Sequence, residues 1–356
     1  MAVHHLLNLA GDRLRTLPLV VLYLTDGCNS RCVMCDIWRS PRRNMSMALI
    51  DQIASDFQQL RGRQVLLSGG EAMQHPDWPQ IARRFRASGA HVMLLTNGLL
   101  LRKQAQDVID SVDEVIVSLD GGTAATYAAI RGVDAFELVL EGIRAVRDGG
   151  IPVTTRTTVQ RANYHEMPAI ISAARQVDVN RISFLTVDVS NVFAFGPRFA
   201  SDPALPVIAS MGPGAPPEHG PSATALTADD IEQLRIILDD IEVRFAGEFA
   251  SGRIAESPDK LRRMLVYFSA VIARGHFDPP RCNAPHTSVV IEVDGTLRPC
   301  FFLPAHGRLS PGDSLAQALN SDAAIHLRRA YRTGQRPECE RCVCPLYRGP
   351  RTLLHL

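Results

Sequence analysis

Residues 28–35 read Cys-Asn-Ser-Arg-Cys-Val-Met-Cys, so three thiols, Cys28, Cys32 and Cys35, fall within eight residues at gaps of three and two. One loop at that spacing can set three thiolates on a single inorganic centre. Thiolates hold iron–sulfur clusters, and a four-iron cube takes four of them. Three local ligands would leave one iron open, the kind of position where a catalytic metal takes substrate or cosubstrate. Zinc matches less well, because it prefers four ligands, typically in paired Cys-x2-Cys units. A disulfide would leave one of the three thiols over.

The other five cysteines lie in the last quarter of the chain, with none between the two groups. Seventeen residues separate Cys282 from Cys300, Cys339 and Cys342 form a Cys-x2-Cys unit, and Cys344 follows after one residue. Cys282, Cys300, Cys339 and Cys342 suffice for a second four-iron cluster, and Cys344 is then either spare or a ligand in place of Cys342. Zinc at these tail cysteines is the alternative metal. Cysteines grouped this way, in a chain without a signal peptide, point to metal rather than disulfides and to a cytoplasmic setting.

Polar residues recur where apolar runs end. Gly69-Gly70-Glu71 closes one run: the glycines admit close backbone approach, and the carboxylate could hold an ammonium group. Asn97 follows Leu94-Leu95-Thr96, and Ser118 and Asp120 follow Val115-Ile116-Val117. Asn97 and Asp120 read equally as ligand groups or as turn formers. Arg156 stands in Thr155-Arg156-Thr157 and faces either a shared cavity or a helix. Asp188 reads as a substrate contact or as a solvated loop acid.

These residues need a scaffold that brings distant loops together. The hydrophobic periodicity predicts strands at 19–25, 64–68, 91–96, 114–119, 152–159 and 181–187. Helices fall between them near 45–60, 77–88, 102–111, 123–130, 136–148 and 166–176. Alternation of this kind predicts a parallel sheet with right-handed crossovers, whose functional groups gather at the C-terminal strand ends. Residues 1–16 have a helical apolar spacing suited to packing. Residues 190–225 are rich in Gly and Pro and read either as a cover over a substrate mouth or as an ordinary insertion. Helices follow at about 227–246, with Thr227 as its cap, and at 258–274. Asp294-Gly295 between 288–292 and 297–301 predicts a hairpin, and 314–333 reads as helical.

With 356 residues, Lys+Arg 38 against Asp+Glu 37 and a net charge of +1, the chain has the size of one large domain, or of a large one with a small one, and no overall bias towards nucleic acid. The apolar run at 17–24 is too short to span a membrane.

The spacing Cys-x3-Cys-x2-Cys after the first strand, followed by Ser68-Gly-Gly-Glu-Ala-Met-Gln-His75-Pro-Asp-Trp, resembles the radical S-adenosylmethionine (radical SAM) superfamily. Ala72 stands where that family commonly has proline. The stretch from Tyr127 through Arg131-Gly132-Val133 to Phe136-Glu137, with the cysteine tail, resembles the branch bearing SPASM or twitch extensions. The resemblance implies a partial (β/α)6 TIM-like barrel over residues 1–190, a connection at 191–275, and a small α+β auxiliary-cluster domain at 276–356. It implies a [4Fe–4S] cluster on Cys28, Cys32 and Cys35, with SAM chelating the open iron and cleaved to a 5′-deoxyadenosyl radical. It further implies a second, auxiliary [4Fe–4S] cluster in the tail. Gly69, Gly70 and Glu71 would bind the SAM amino group and Ser118 its ribose or methionyl part, with Asn97 and Asp120 beside them and Arg156 on the SAM carboxylate. A spare Cys344 could donate a hydrogen atom.

The reading is an enzyme fed by a flavodoxin- or ferredoxin-type electron donor and acting on a small-molecule substrate: a sugar, aminocyclitol, nucleoside or lipid intermediate. A net two-electron oxidation follows if the second cluster takes the substrate's remaining electron. The core starting near residue 19 leaves no room ahead of it for a leader-peptide-binding domain, which moves a peptide substrate to second place. The terminus Leu353-Leu-His-Leu356 lacks the Gly-Gly of a molybdopterin-type GTP cyclase. From another class, an iron–sulfur electron carrier or sensor would leave Gly-Gly-Glu and Ser118 without purpose.

Overall fold

The computed structural model describes residues 3–189 and 224–355. Six strands, β1 (Leu19–Thr25), β2 (Gln64–Gly69), β3 (His91–Thr96), β4 (Glu114–Ser118), β5 (Val153–Val159) and β6 (Arg181–Thr186), alternate with helices. Each pairs in parallel with the next. The full order is β6-β5-β4-β3-β2-β1-β7-β8-β9, with an edge at each end. The architecture is therefore an open, partial barrel.

All seven residues of β1 are buried. A strand apolar on both faces belongs in the middle of a covered sheet, and β1 pairs with β2 on one side and with β7 (Ser288–Ile291) on the other. The predicted hairpin is present: β7 runs antiparallel to β8 (Thr296–Arg298), with Val290 opposite Arg298. Its strands are shorter than the pattern suggests, and a third, β9 (Gly307–Arg308), follows. Because β7 joins β1, one sheet runs on from the barrel strands into the cysteine-rich tail.

The two faces of this sheet differ. Val20, Leu22, Val65, Leu67, Val92 and Leu94 share a core with helix residues such as Ile53, Phe57, Ile81, Phe85 and Ile143. The helix Met47–Gln59 starts on Ser46, whose side chain accepts the Leu49 N–H, and buries Leu49, Ile50, Ile53 and Phe57. Burying each such side chain is worth about 1.5–3 kcal/mol. On the inner face, Val21, Tyr23, Leu66 and Ile116 form a second cluster that receives Phe301 and Leu346 from the tail. Tyr23 and Phe301 stack with ring centroids 6.1 Å apart.

The helical stretch near 314–333 is two helices, Leu315–Ala318 and Asp322–Arg332. Between them Asn320 turns its amide to Leu14, accepting its N–H at 2.8 Å and donating to its carbonyl at 2.9 Å. Ser321 caps the second helix. The N-terminal segment is a short helix, Val3–Leu6, and a 3-10 turn, Leu7–Ala10. It packs as expected, with Asn8 donating to the Thr16 and His286 carbonyls. Thr227 begins the helix Ala228–Arg244 with a capping box. Leu261, Met264 and Phe268 of the helix Pro258–Val271 are core residues. Most of the 190–225 stretch lies outside the described residues. Among the described residues no helix is long and apolar enough to cross a membrane.

Candidate metal and cofactor site

Parallel strands bring the loops after β1 to β6 to one rim. The cysteine loop leaves β1 and is closed at its neck. Thr25 bridges Asn44, the Met45 N–H reaches the Leu24 carbonyl at 2.8 Å, and Arg43 pairs with the buried Asp26 at 2.7 Å. His75 fastens the return of the loop through Nε2, 2.9 Å from the Met45 carbonyl. The far side of the loop rests on the helix Ala124–Arg131: Arg31 and Val33 donate N–H groups to the Arg131 and Ile130 carbonyls, each at 3.0 Å.

Gly69 and Gly70 face this neck. Gly69 has φ +120°, and a Cβ on it would lie 2.4 Å from the Thr25 carbonyl oxygen; one on Gly70 would lie 2.3 Å from the Gly27 carbonyl oxygen. The backbone that approaches the glycines is thus the root of the cysteine loop itself. The Glu71 carboxylate is enclosed at 1% exposure. It accepts the Thr96 hydroxyl at 2.9 Å, the Asn97 N–H at 2.7 Å and the Met73 N–H at 3.2 Å. Burial raises its pKa, against the pull of those donors. Glu71 so ties the exit of β2 to the exit of β3.

Asn97 takes the turn role and also touches the cysteine loop. Its Oδ1 accepts the Leu99 N–H in a turn, and its Nδ2 donates to Asn29 Oδ1 at 2.7 Å and reaches Cys28 Sγ at 3.8 Å. Ser118 is partly exposed on the inner face, in register with Arg156. Asp120 is taken up internally, accepting from Arg131 at 2.9 Å and from the Thr158 N–H at 2.7 Å. Asp188 is buried, not solvated, and accepts the Tyr267 hydroxyl at 3.1 Å.

The sequence reading missed two buried residues here. Arg131 appeared only as part of a family-like stretch, ending a helix before Gly132. In the structure Cys32, Asp120, Tyr127 and Cys28 raise its pKa against the lowering effect of burial. Gln160, fully buried just beyond β5, points Nε2 at Met34 of the cysteine loop, 3.7 Å away. Neither a helix-ending arginine nor a lone glutamine carries a spacing signal.

The cysteines form two gatherings, and none of the eight forms a disulfide. Burial pushes Cys28 up to about 12, with Glu71, Cys32 and Cys35 adding to the rise. Burial likewise pushes Cys300 up to about 12, with Cys282 and Cys339 adding. Cys342 is raised by burial and then by Cys344, Cys300 and Cys282. Thiols so placed ionise only against positive charge, which an iron–sulfur cluster supplies. The donor sets fit: three thiols at the rim, with Ser30 N–H 3.4 Å from Cys28 Sγ, and four or five in the tail. Asn283 links Cys282 to the last cysteines, its N–H reaching the Leu346 carbonyl at 2.8 Å and its Nδ2 the Arg348 carbonyl at 2.8 Å. Among the described residues no three His, Cys, Asp or Glu side chains converge as on a single metal ion; an iron–sulfur cube is larger and takes its ligands from farther apart.

Comparison with known proteins agrees with this geometry. The chain is 31% identical over 190 residues to Fe-coproporphyrin III synthase of Methanosarcina barkeri, covering 51% of this chain and 46% of that protein. It is 32% identical over 169 residues to the AdoMet-dependent heme synthase of the same organism, covering 45% and 47%. A probable GTP 3′,8-cyclase of Saccharolobus islandicus is 32% identical, covering 46% and 54%. The chain thus spans about half the length of the curated relatives it matches. Among solved structures, Streptococcus suis SuiB bound to precursor peptide SuiA has TM-score 0.63 at 15% identity, covering 91% of this chain and 70% of that one. The anSMEcpe enzyme with bound AdoMet and Cp18Cys peptide has TM-score 0.62 at 14% identity, covering 87% and 82%. At such identities the likeness is one of fold. The radical SAM superfamily model matches residues 22–174, and the SPASM iron–sulfur cluster-binding model matches residues 282–343. The first implies a [4Fe–4S] cluster with SAM and the second auxiliary iron–sulfur ligation. With one match at each cysteine group, the chain belongs to the radical SAM superfamily, in the branch that carries a C-terminal SPASM domain.

Proposed function

We propose that this protein is a radical SAM enzyme that changes a C–H bond of a small metabolite, in a net two-electron oxidation or a related modification. Cys28, Cys32 and Cys35 would hold the SAM-binding cluster, and Cys282, Cys300, Cys339 and Cys342 one auxiliary cluster, with Cys344 as spare or alternate ligand. The observation that carries the reading is the neck contact: Gly69 and Gly70 pressed against Thr25–Gly27 fix the cysteine loop beside the ends of β2, β3 and β4. When bound, the cluster and SAM supply a radical that takes a hydrogen atom. The chain's own part is to hold SAM between the loop and Ser118, with Asn97 orienting Cys28, and to keep the reacting atoms from bulk water.

A small-molecule substrate is supported by the curated relatives at 31–32% identity, named for porphyrin, heme and GTP chemistry. A peptide substrate is the second reading, favoured by the likeness to SuiB with its precursor peptide. A flavodoxin- or ferredoxin-type donor in a cytoplasmic setting belongs to either.

Iron and sulfide analysis with electron paramagnetic resonance, on anaerobically reconstituted protein with and without SAM, tests the proposal. About eight irons per chain, one signal altered by SAM and 5′-deoxyadenosine released on reduction are expected. About four irons, all SAM-responsive, would remove the auxiliary cluster. No SAM response would leave an electron carrier or sensor.

A further inference from the structure

Asn97 follows β3 with both polar atoms of its side chain in use. Its Oδ1 accepts the Leu99 N–H at 3.0 Å. That bond fixes which way the amide faces, since the reverse would set donor against donor. Nδ2 then has two hydrogens to place. It donates one to Asn29 Oδ1 at 2.7 Å, and Cys28 Sγ lies 3.8 Å away for the other. The main chain is held as well: the Asn97 N–H donates to Glu71 Oε2 at 2.7 Å, and the Asn97 carbonyl accepts the Tyr127 hydroxyl at 3.5 Å. At 5% exposure the residue is pinned to the exit of β2, to the helix Ala124–Arg131 and to the cysteine loop. No side-chain N–H is left over for SAM, beside which the family resemblance sets Asn97.

Cys28 Sγ meets a second N–H, that of Ser30, at 3.4 Å. The two donors differ in origin. The Ser30 N–H belongs to the cysteine loop itself and comes with the folding of that loop. The Asn97 amide is 69 residues away in the chain and arrives only when β3 closes beside β2. A thiolate sulfur in an iron–sulfur cluster carries part of the charge added on reduction. An N–H aimed at that sulfur stabilises the more negative, reduced state, and such hydrogen bonds are among the factors that set cluster potentials. The effect is strengthened where water is scarce, as it is around a residue as enclosed as Asn97.

We infer that Asn97 is a positioning residue for the cluster and not a SAM ligand: its Nδ2–H, aimed at Cys28 Sγ, raises the reduction potential of the cluster held by Cys28, Cys32 and Cys35. The inference rests on the radical SAM reading and adds to it a residue that sets how readily the electron is accepted. One electron passes from the external donor to the cluster, and the amide proton stays on nitrogen throughout.

The test is the midpoint potential of each cluster, read by electron paramagnetic resonance on reconstituted protein poised with titanium(III) citrate in the absence of SAM. The rim cluster is the one whose signal changes when SAM is added to a parallel sample. Asn97→Ser keeps a short oxygen acceptor for the Leu99 N–H but cannot reach Cys28. It is expected to make rim reduction at least tenfold less favourable, a lowering of about 59 mV for a one-electron couple, with the second cluster within twofold and SAM affinity within threefold. An unchanged rim potential overturns the inference. So does a tenfold loss of SAM affinity, which would return Asn97 to SAM. If Asn97→Ser loses iron, spin-echo modulation on protein labelled with side-chain 15N asparagine decides. The reduced rim signal should carry a 15N coupling that survives in Asn29→Asp, which keeps an acceptor for Nδ2, and absence of that coupling overturns the inference. A wild type with no SAM-responsive signal would defeat the radical SAM reading alone. The rim signal is then the one lost when Cys28, Cys32 and Cys35 are changed together to Ala, and the same comparison of potentials still decides the role of Asn97.

Discussion

Arg131 and Asp120 meet at 2.9 Å, their side chains 8% and 1% exposed, directly behind the cysteine loop. The pair does more than neutralise itself. The Arg131 carbonyl accepts the Arg31 N–H at 3.0 Å and the Ser30 hydroxyl at 3.1 Å, so the helix end that Asp120 anchors also carries the loop. Removing one partner of a buried ion pair costs about 3–5 kcal/mol. Asp120→Ala should therefore lower the urea midpoint and also the iron retained after reconstitution. Lost stability with full iron retention would show that the helix end does not support the loop.

The glycine contact at the neck is separable from backbone freedom alone. Gly69 and Gly89 both have positive φ, +120° and +84°, but only Gly69 has a neighbour in the way, the Thr25 carbonyl oxygen. Alanine at either site incurs strain of about 1 kcal/mol or more. Gly69→Ala should be the more damaging in urea unfolding and should weaken SAM binding, whereas Gly89→Ala should leave SAM affinity within twofold. Equal effects from the two would dismiss the neck contact.

The rim and tail cysteines should fail differently. Cys28, Cys32 and Cys35 changed together to Ala should abolish SAM cleavage while leaving about four irons. Cleavage that persists in this variant would sink the assignment of the SAM-binding cluster.

Cys339→Ala should lose product but still release 5′-deoxyadenosine, with iron reduced by about half. Unchanged iron and product would defeat the auxiliary cluster.

Three buried histidines, His5, His286 and His306, set an acid limit, and burial lowers each of them to about 4. Burial, with the Arg328 charge adding, lowers His286 and His306 from the usual 6.5 to about 4. Between those values the unfolded chain binds protons that the folded chain refuses, so stability falls as pH drops from 6.5 towards 4. Each histidine contributes a slope of up to about 1.4 kcal/mol per pH unit within the window. Urea midpoints measured from pH 7.5 to 5 should fall for wild type and fall less steeply in a His286→Asn, His306→Asn variant, in which His5 still resists protonation. Parallel profiles would show that other groups carry the acid sensitivity.

Local patterns already contained much of this protein. Period-two and helical spacings placed all six barrel strands to within about two residues, because a strand such as Leu19–Thr25 must be apolar on both faces wherever it sits in a covered sheet. The cysteine loop was legible as a candidate ligand set because its three thiols are neighbours in the chain, where spacing alone limits what they can bind. The tail cysteines were legible as a set because all five fall in the last quarter of the chain with none between them and the first group, and Asp294-Gly295 marked the hairpin.

What only the tertiary structure decided are relations between residues far apart in sequence. Pairing of β7 with β1 turns the tail into a continuation of the barrel sheet, since strand edges carry no record in sequence of which distant edge they meet. The Gly-Gly turn reads as a ligand cradle until Thr25 and Gly27 are seen to fill the space beside it. Glu71 reads as a carboxylate for an ammonium group and Asp120 as a ligand or a turn former, and only the fold shows both enclosed by burial and backbone donors. Arg131 and Arg156 are equal arginines in the chain. One is matched by Asp120 beneath the cysteine loop, and the other keeps its buried Nε without a hydrogen-bond partner, a difference that arises only when the strands close around them and fix which groups lose water together.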